Sequence, residues 1–193
     1  MRIVGGKHKG RRLQAPQDRA IRPTADRARE AIFNLLTQGR AVAETGFALK
    51  DVMVLDAFCG TGALGLEALS HGAREATFLD TDMAALALAR ENAEAMGEAK
   101  NARFVRGDAT RPPAAPQAHG LVLLDPPYGK ALAEAALVAL AAAGWLEEGA
   151  IVVLEQSAGE TLDFPMGFDG IDERQYGAAK IHILCFGMPP AAA

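Results

Sequence analysis

Asp56-Ala57-Phe58-Cys59-Gly60-Thr61-Gly62-Ala63-Leu64-Gly65 decides how this chain folds. A strand-like run, 52–57, ends in an acid, a glycine-rich turn follows, and a helical pattern begins at residue 63. Gly60, Gly62 and Gly65 match the spacing GxGxxG, and Asp80 lies twenty residues beyond Gly60. Taken literally, this is a dinucleotide-binding turn followed by a ribose-binding acid. An acid placed just before the glycines argues against that reading, because a dinucleotide site turns its helix N-terminus toward a pyrophosphate.

Working outward, the same alternation repeats. Strands are expected at 52–57, 75–80, 102–106, 120–125 and 149–155, with helices at 63–71, 82–96 and 130–143. Gly72, Gly97 and Gly144 supply helix stop signals. Strand-helix alternation predicts an α/β fold, a mostly parallel sheet with flanking helices. Two further runs, 171–176 and 180–186, would close it with an antiparallel C-terminal hairpin. Residues 109–119 are too proline-rich for a regular helix and read as a long connection, and 188–193 as a frayed end.

Ligands of open α/β sheets bind at the carboxyl ends of the strands. Asp56, Asp80, Asp108 and Asp125 all fall at such ends and would line one crevice. Asp56 would suit the cationic amino group and sulfonium of S-adenosylmethionine. Asp80, with Asp82 as its competitor, would hold ribose hydroxyls, and Asp108 the adenine amine. The fourth strand, Leu121-Val122-Leu123-Leu124, opens into Asp125-Pro126-Pro127-Tyr128. Prolines lack an N–H and hold a loop extended, leaving the Pro126 carbonyl to accept beside the Asp125 carboxylate. That pair suits a group with two N–H bonds, such as the exocyclic amine of a base, while Tyr128 offers a stacking face.

The net charge of −4 conceals an asymmetry. Residues 1–40 hold ten Lys or Arg against three acids, and the remaining 153 residues hold ten against 21. A basic extension (1–40) on an acidic domain (41–193) points to a polyanionic partner. Residues 2–13 read as two short strands carrying Lys7, His8, Lys9, Arg11 and Arg12, with glycines that let the backbone approach phosphates. A helix then starts at Pro23-Thr24, carries the apolar stripe Ala28, Ala31, Ile32, Leu35 and Leu36, and stops at Gly39. No segment reads as a membrane span or a signal peptide. Cys59 and Cys185, the only cysteines, have no disulfide-framework or metal-ligand spacing. Cys59 has no basic partner and reads as a packing residue. A cytoplasmic setting is expected.

With these residues assembled, the chain resembles the class I, Rossmann-like S-adenosylmethionine-dependent methyltransferases. More narrowly, it resembles the bacterial 16S ribosomal RNA guanine-N2 methyltransferases of the RsmD type. The resemblance rests on Arg2-Ile3-Val4-Gly5-Gly6 with Lys9-Gly10-Arg11, on Arg22-Pro23-Thr24 with Arg27, Arg29 and Glu30, on Asp56 to Gly62, and on Asp125-Pro126-Pro127-Tyr128. It implies that Asp125, Pro126 and Tyr128 act on the target base. It also implies that Arg22, Thr24, Asp56, Phe58, Gly60, Gly62, Asp80 and Asp108 serve the cofactor. Arg22 and Thr24 could equally meet the RNA backbone, and Phe58 could join Tyr128 in stacking. Lys7, Lys9, Arg11, Arg12 and Arg27 would meet 16S RNA or a small-subunit particle, and the protein would be a monomer. Many relatives carry Glu where this chain has Asp80. A DNA adenine-N6 methyltransferase, an NAD dehydrogenase and a non-catalytic ribosome-assembly factor remain as alternatives.

Overall fold

A computed structural model describes residues 1–15, 23–127 and 132–187. The predicted helix at Pro23 is α1 (Pro23–Gln38). A short helix, α2 (Arg40–Thr45), follows where Gly39 was expected to end the segment. Gly39 does break α1: a side chain there would meet the Leu35 carbonyl at 2.3 Å, so only glycine permits the immediate restart. The alternating portion then runs β1 (Met53–Ala57), α3 (Ala63–Ser70), β2 (Glu75–Asp80), α4 (Met83–Met96), β3 (Ala102–Arg106), β4 (His119–Leu124), α5 (Leu132–Ala142) and β5 (Leu146–Ser157). The chain finishes with β6 (Phe168–Tyr176) and β7 (Ala179–Phe186). The tail 188–193 lies outside the described residues.

One seven-stranded sheet has the order β3-β2-β1-β4-β5-β7-β6. β1 through β5 pair in parallel, and β7 is antiparallel to both β5 and β6, giving the expected closing hairpin. β1 and β4 are buried on both sides, which is why they read as continuous apolar runs. Val54, Leu121, Leu123, Ile151 and Val153 face α1, α3 and α4, whereas Leu55, Val122, Leu124, Val152 and Leu154 face α5 and Trp145. Among the described residues no helix is long and apolar enough to cross a membrane.

The N-terminal arm forms a looser ladder than two strands. Ile3 N donates to Arg11 O, Gly10 N to Ile3 O and Leu13 N to Met1 O, around a single bridge between Arg2 and Arg12. A 3-10 turn at Gly6–His8 supplies the bend. Ile3 and Leu13 are buried in the same cluster as Phe33 of α1 and Leu66 of α3. Residues 107–118 link β3 to β4, where Trp145 Nε1 donates to the Pro113 carbonyl at 2.8 Å. His119 stacks on Trp145 and reaches Thr77 Oγ1 at 3.1 Å. Burial depresses the His119 pKa, so it stays a neutral part of the core.

Candidate active site at the strand ends

The chain direction reverses sides between β1 and β4, and ligand crevices of open α/β sheets form at such switch points. Ala57 pairs with Leu124, so Phe58 and Asp125 step off adjacent strands together. Leu79 pairs with Ala57 on the other side, which places Asp80 at the same level. Two strand spacings put the Asp80 and Asp125 backbones about 10 Å apart across β1.

Between them lies the glycine turn. Phe58 has a φ of 60°, Gly60 of 52° and Gly62 of 76°, so the backbone coils left-handed to enter α3. Phe58 holds this disfavoured conformation while its ring packs on the α5-side core. A Cβ on Gly60 would meet nothing within 4 Å, so the turn presents bare backbone to open space. At Gly65 the opposite holds: an added Cβ would lie 2.5 Å from Phe78 Cε1, and glycine is required for α3 to close on β2.

The four acids take different places. Asp56 is 1% exposed and its Oδ2 accepts Gly65 N at 2.8 Å. It therefore braces the first turn of α3 from beneath, rather than standing open in the crevice as its position before the glycines suggested. Burial raises its pKa well above the carboxylate range. The Gly65 N–H opposes that rise, and the charges of Asp125 and Asp80 add to it. Asp80 Oδ2 accepts Gly60 N at 2.9 Å and its Oδ1 accepts Asp82 N at 2.9 Å. Asp82 is instead the N-cap of α4, accepting Ala84 N at 2.8 Å. The two acids thus differ in their surroundings: Asp80 touches the glycine turn, and Asp82 caps a helix. Asp108 is exposed in a turn beyond β3. Its pKa is lowered by the Thr110 amide and hydroxyl, each 2.8 Å from Oδ1. Asp125 is exposed and Pro126 buried.

Cys59 is buried beneath the turn, and burial, reinforced by Asp56 and Asp80, drives its thiol pKa far above the usual range. It packs in the core cluster that α1, α3 and α4 share. Tyr128 and Arg22 lie outside the described residues, and the side chain of Thr24, at the start of α1, does too. Bare backbone at Gly60 beside the Asp80 carboxylate is a surface whose chemistry fits a ligand carrying an amino-acid end and ribose hydroxyls, as S-adenosylmethionine does.

The predicted RNA contacts separate into two kinds. All five are exposed; Arg27 lines a cleft of about 270 Å³ with Arg2 and Glu30, whereas Lys7 and Arg11 are tied to neighbouring groups. Lys7 pairs with Glu98 at 2.7 Å, and Arg11 donates to the Met96 carbonyl at 3.2 Å. His8 also reaches Glu98, at 2.7 Å. Burial pushes Glu98 upward, but hydrogen bonds from Lys7, His8 and Asn101 outweigh it and hold the carboxyl at about 2.

Sequence reasoning missed the residues that fasten this arm. Glu67, fully buried on α3, accepts Val4 N at 2.9 Å, Gly5 N at 2.6 Å and Arg29 Nε at 3.3 Å. Ser70 Oγ accepts His8 N and donates to Gly5 O. The available signal was a lone acid amid Leu64, Leu66, Ala68 and Leu69, since a buried charge needs partners.

Residues 1–185 match the family model described as Conserved hypothetical protein 95. Ribosomal RNA small subunit methyltransferase D of Escherichia coli strain K12 is 37% identical over 156 residues, 80% of this chain and 74% of that protein. The protein of the same description from Haemophilus influenzae is 30% identical over 187 residues, covering 95% of this chain and 92% of that one. The solved structure of yhhF from Escherichia coli superposes with a TM-score of 0.79 at 31% identity, spanning 96% of this chain and 97% of that chain.

Proposed function

This chain belongs to the Conserved hypothetical protein 95 family, alongside small-subunit ribosomal RNA methyltransferase D, and from that premise we infer that it is an S-adenosylmethionine-dependent methyltransferase acting on the N2 amine of a guanine in 16S ribosomal RNA. The observation that carries the mechanism is the placement of Asp125 and Pro126 at the exit of β4, one strand from the glycine turn. S-adenosylmethionine, when bound, supplies an electrophilic methyl group. Gly60 admits its methionine end, Asp80 accepts from its ribose hydroxyls, and Asp108 takes its adenine amine.

The guanine amine is a weak nucleophile because its lone pair is delocalised into the ring. The Asp125 carboxylate and Pro126 carbonyl accept its two N–H bonds, favour a tetrahedral nitrogen and localise that pair. The N–C bond would form as the sulfonium–methyl bond breaks and S-adenosylhomocysteine departs, with Asp125 stabilising positive charge on nitrogen and receiving its proton. Tyr128 stacks on the extruded base. Asp56 braces the start of α3 from behind the turn through the Gly65 N–H. Lys9, Arg12 and Arg27, exposed on the arm and α1, meet phosphates, with Arg11 and Lys7 adding to the field. Arg22 and Thr24 serve the cofactor carboxylate or the RNA backbone. The protein works as a cytoplasmic monomer.

The test is transfer of labelled methyl from S-adenosylmethionine to deproteinised 16S RNA, to small subunits and to duplex DNA, with nucleoside analysis. N2-methylguanosine from an RNA substrate is expected. Asp125→Ala should abolish it while S-adenosylhomocysteine affinity stays within about 3-fold, under 1 kcal/mol. Full activity in that variant would sink the mechanism, and label in DNA adenine would overturn the substrate.

A further inference from the structure

Asn92 lies midway along α4, 1% exposed, with every polar atom of its amide engaged. Its Oδ1 accepts Gln14 N at 2.7 Å, and its Nδ2 donates to the Gln14 carbonyl and the Thr61 carbonyl, each at 3.1 Å. An amide has two N–H donors and one oxygen. Reversing it would set that oxygen against two carbonyls, so the surroundings fix its orientation. Gln14 sits two residues beyond the exposed Arg12 of the arm, and Thr61 lies between Gly60 and Gly62. The arm's other side-chain ties reach Arg29 on α1 and Glu67, Ser70, Met96 and Glu98, toward the far ends of α3 and α4. Among the described residues, Asn92 is thus the side chain that bonds both the arm and the glycine turn.

We propose that Asn92 is a positioning residue that couples cofactor binding to RNA binding, an inference that rests on the functional reading above. It serves Gln14 as a neighbouring strand would, bonding both its N–H and its C=O, and spends its remaining donor on the turn. A ligand that fixes the turn fixes Thr61, and through Asn92 fixes the arm in the arrangement that presents Arg12. Linkage makes the effect reciprocal: RNA held by the arm tightens the cofactor by the same factor. One buried hydrogen bond carries a factor of about 5.

The experiment measures S-adenosylhomocysteine affinity by calorimetry, alone and with saturating deproteinised 16S RNA. The proteins are the full-length wild type, Asn92→Ala, Asn92→Asp, Gln14→Pro and Leu140→Ala. Wild type should bind about 5-fold more tightly with RNA present. Asn92→Ala and Asn92→Asp should show a ratio near one, the latter because it sets an oxygen against both carbonyls. Gln14→Pro removes the N–H held by Asn92 and should lower the ratio without altering α4, so the question stays decidable if Asn92 variants misfold. Leu140→Ala destabilises the opposite core and should keep the wild-type ratio. A ratio retained in the Asn92 and Gln14 variants, or absent from wild type, overturns the proposal. Methyl transfer by wild type is run in parallel. Its absence refutes the functional reading, whereas transfer with an unaltered ratio in the variants refutes the coupling alone.

Discussion

Replacing Glu67 with Gln changes one oxygen to an NH₂ group in a site closed to solvent. Oε1 holds Gly5 N at 2.6 Å, and Oε2 holds Val4 N at 2.9 Å and Arg29 Nε at 3.3 Å. Whichever way the new amide turns, its N–H groups face at least one of these donors. With the NH₂ in the Oε2 place, Arg29, 4% exposed, would keep only Asp26 and the Arg2 carbonyl; with the amide reversed, Gly5 N loses its acceptor. A hydrogen bond to a charged acceptor contributes about 1.5–3 kcal/mol, and breaking one side of a buried ion pair costs about 3–5 kcal/mol. A loss of about 3–4 kcal/mol follows for Glu67→Gln, large against the roughly 5–15 kcal/mol of a typical domain. Urea unfolding followed by far-UV circular dichroism should show the midpoint falling with little change in slope. Trypsin should then cut more readily at Lys9 or Arg12, because the arm is released before the sheet opens. Arg29→Met should be costly too, and the double variant should cost less than the two losses added. A Glu67→Gln protein within about 1 kcal/mol of wild type, with unaltered cleavage, would refute the reasoning.

Three further outcomes follow from the same electrostatics. Asp56 has a raised pKa, so the stability it permits is complete below the ordinary carboxylate range and declines as pH rises through its folded value; Asp56→Asn should therefore unfold at higher urea than wild type at pH 8. Glu98 behaves oppositely, since its carboxyl is held at about 2: its contribution is complete above 4.5 and disappears as pH falls toward about 2, and the gap between wild type and Glu98→Gln in acid-unfolding curves should close over that window. Reversing Lys9, Arg12 and Arg27 to Glu should lower RNA affinity and flatten the dependence of log K on log salt by about 0.7–0.9 for each phosphate no longer neutralised, measured by filter binding from about 50 to 200 mM salt; an unchanged slope would show that the RNA binds elsewhere than on the arm.

Periodicity made most of the sheet legible. Leu121 to Leu124 and the glycine turn made β4, β1 and the helix α3 that follows β1 legible, because burial on both faces and left-handed glycines leave local traces in sequence. α2 escaped because Gly39 looks identical whether a helix ends there or restarts one residue later. The four strand-end acids were findable by position, but their roles were not. Asp56 turns to Gly65 and Asp82 to Ala84, choices set by which amide lies nearest in three dimensions. Glu67, Ser70 and Asn92 could not be matched to their partners from the sequence because those partners lie 31 to 78 residues away, well beyond any local period.

The order β5-β7-β6 has a consequence for synthesis. β6 pairs with β7, which is made after it, so as the chain grows its pairing starts at Ala179 opposite Tyr176 and is complete only when Phe186, the partner of Phe168, has been added. Adding the eighteen residues that follow Phe168, up to Phe186, takes about 1–4 s at cellular elongation speeds, and a nascent strand waiting that long is open to pairing with the wrong chain. The composition of β6 answers that hazard: Asp169, Asp172, Glu173 and Arg174 put charge along a segment that later becomes the outer edge. Edge strands studded with charge resist intermolecular pairing. The same residues thus guard the strand twice, first while it waits for its partner and afterwards as the permanent margin of the sheet.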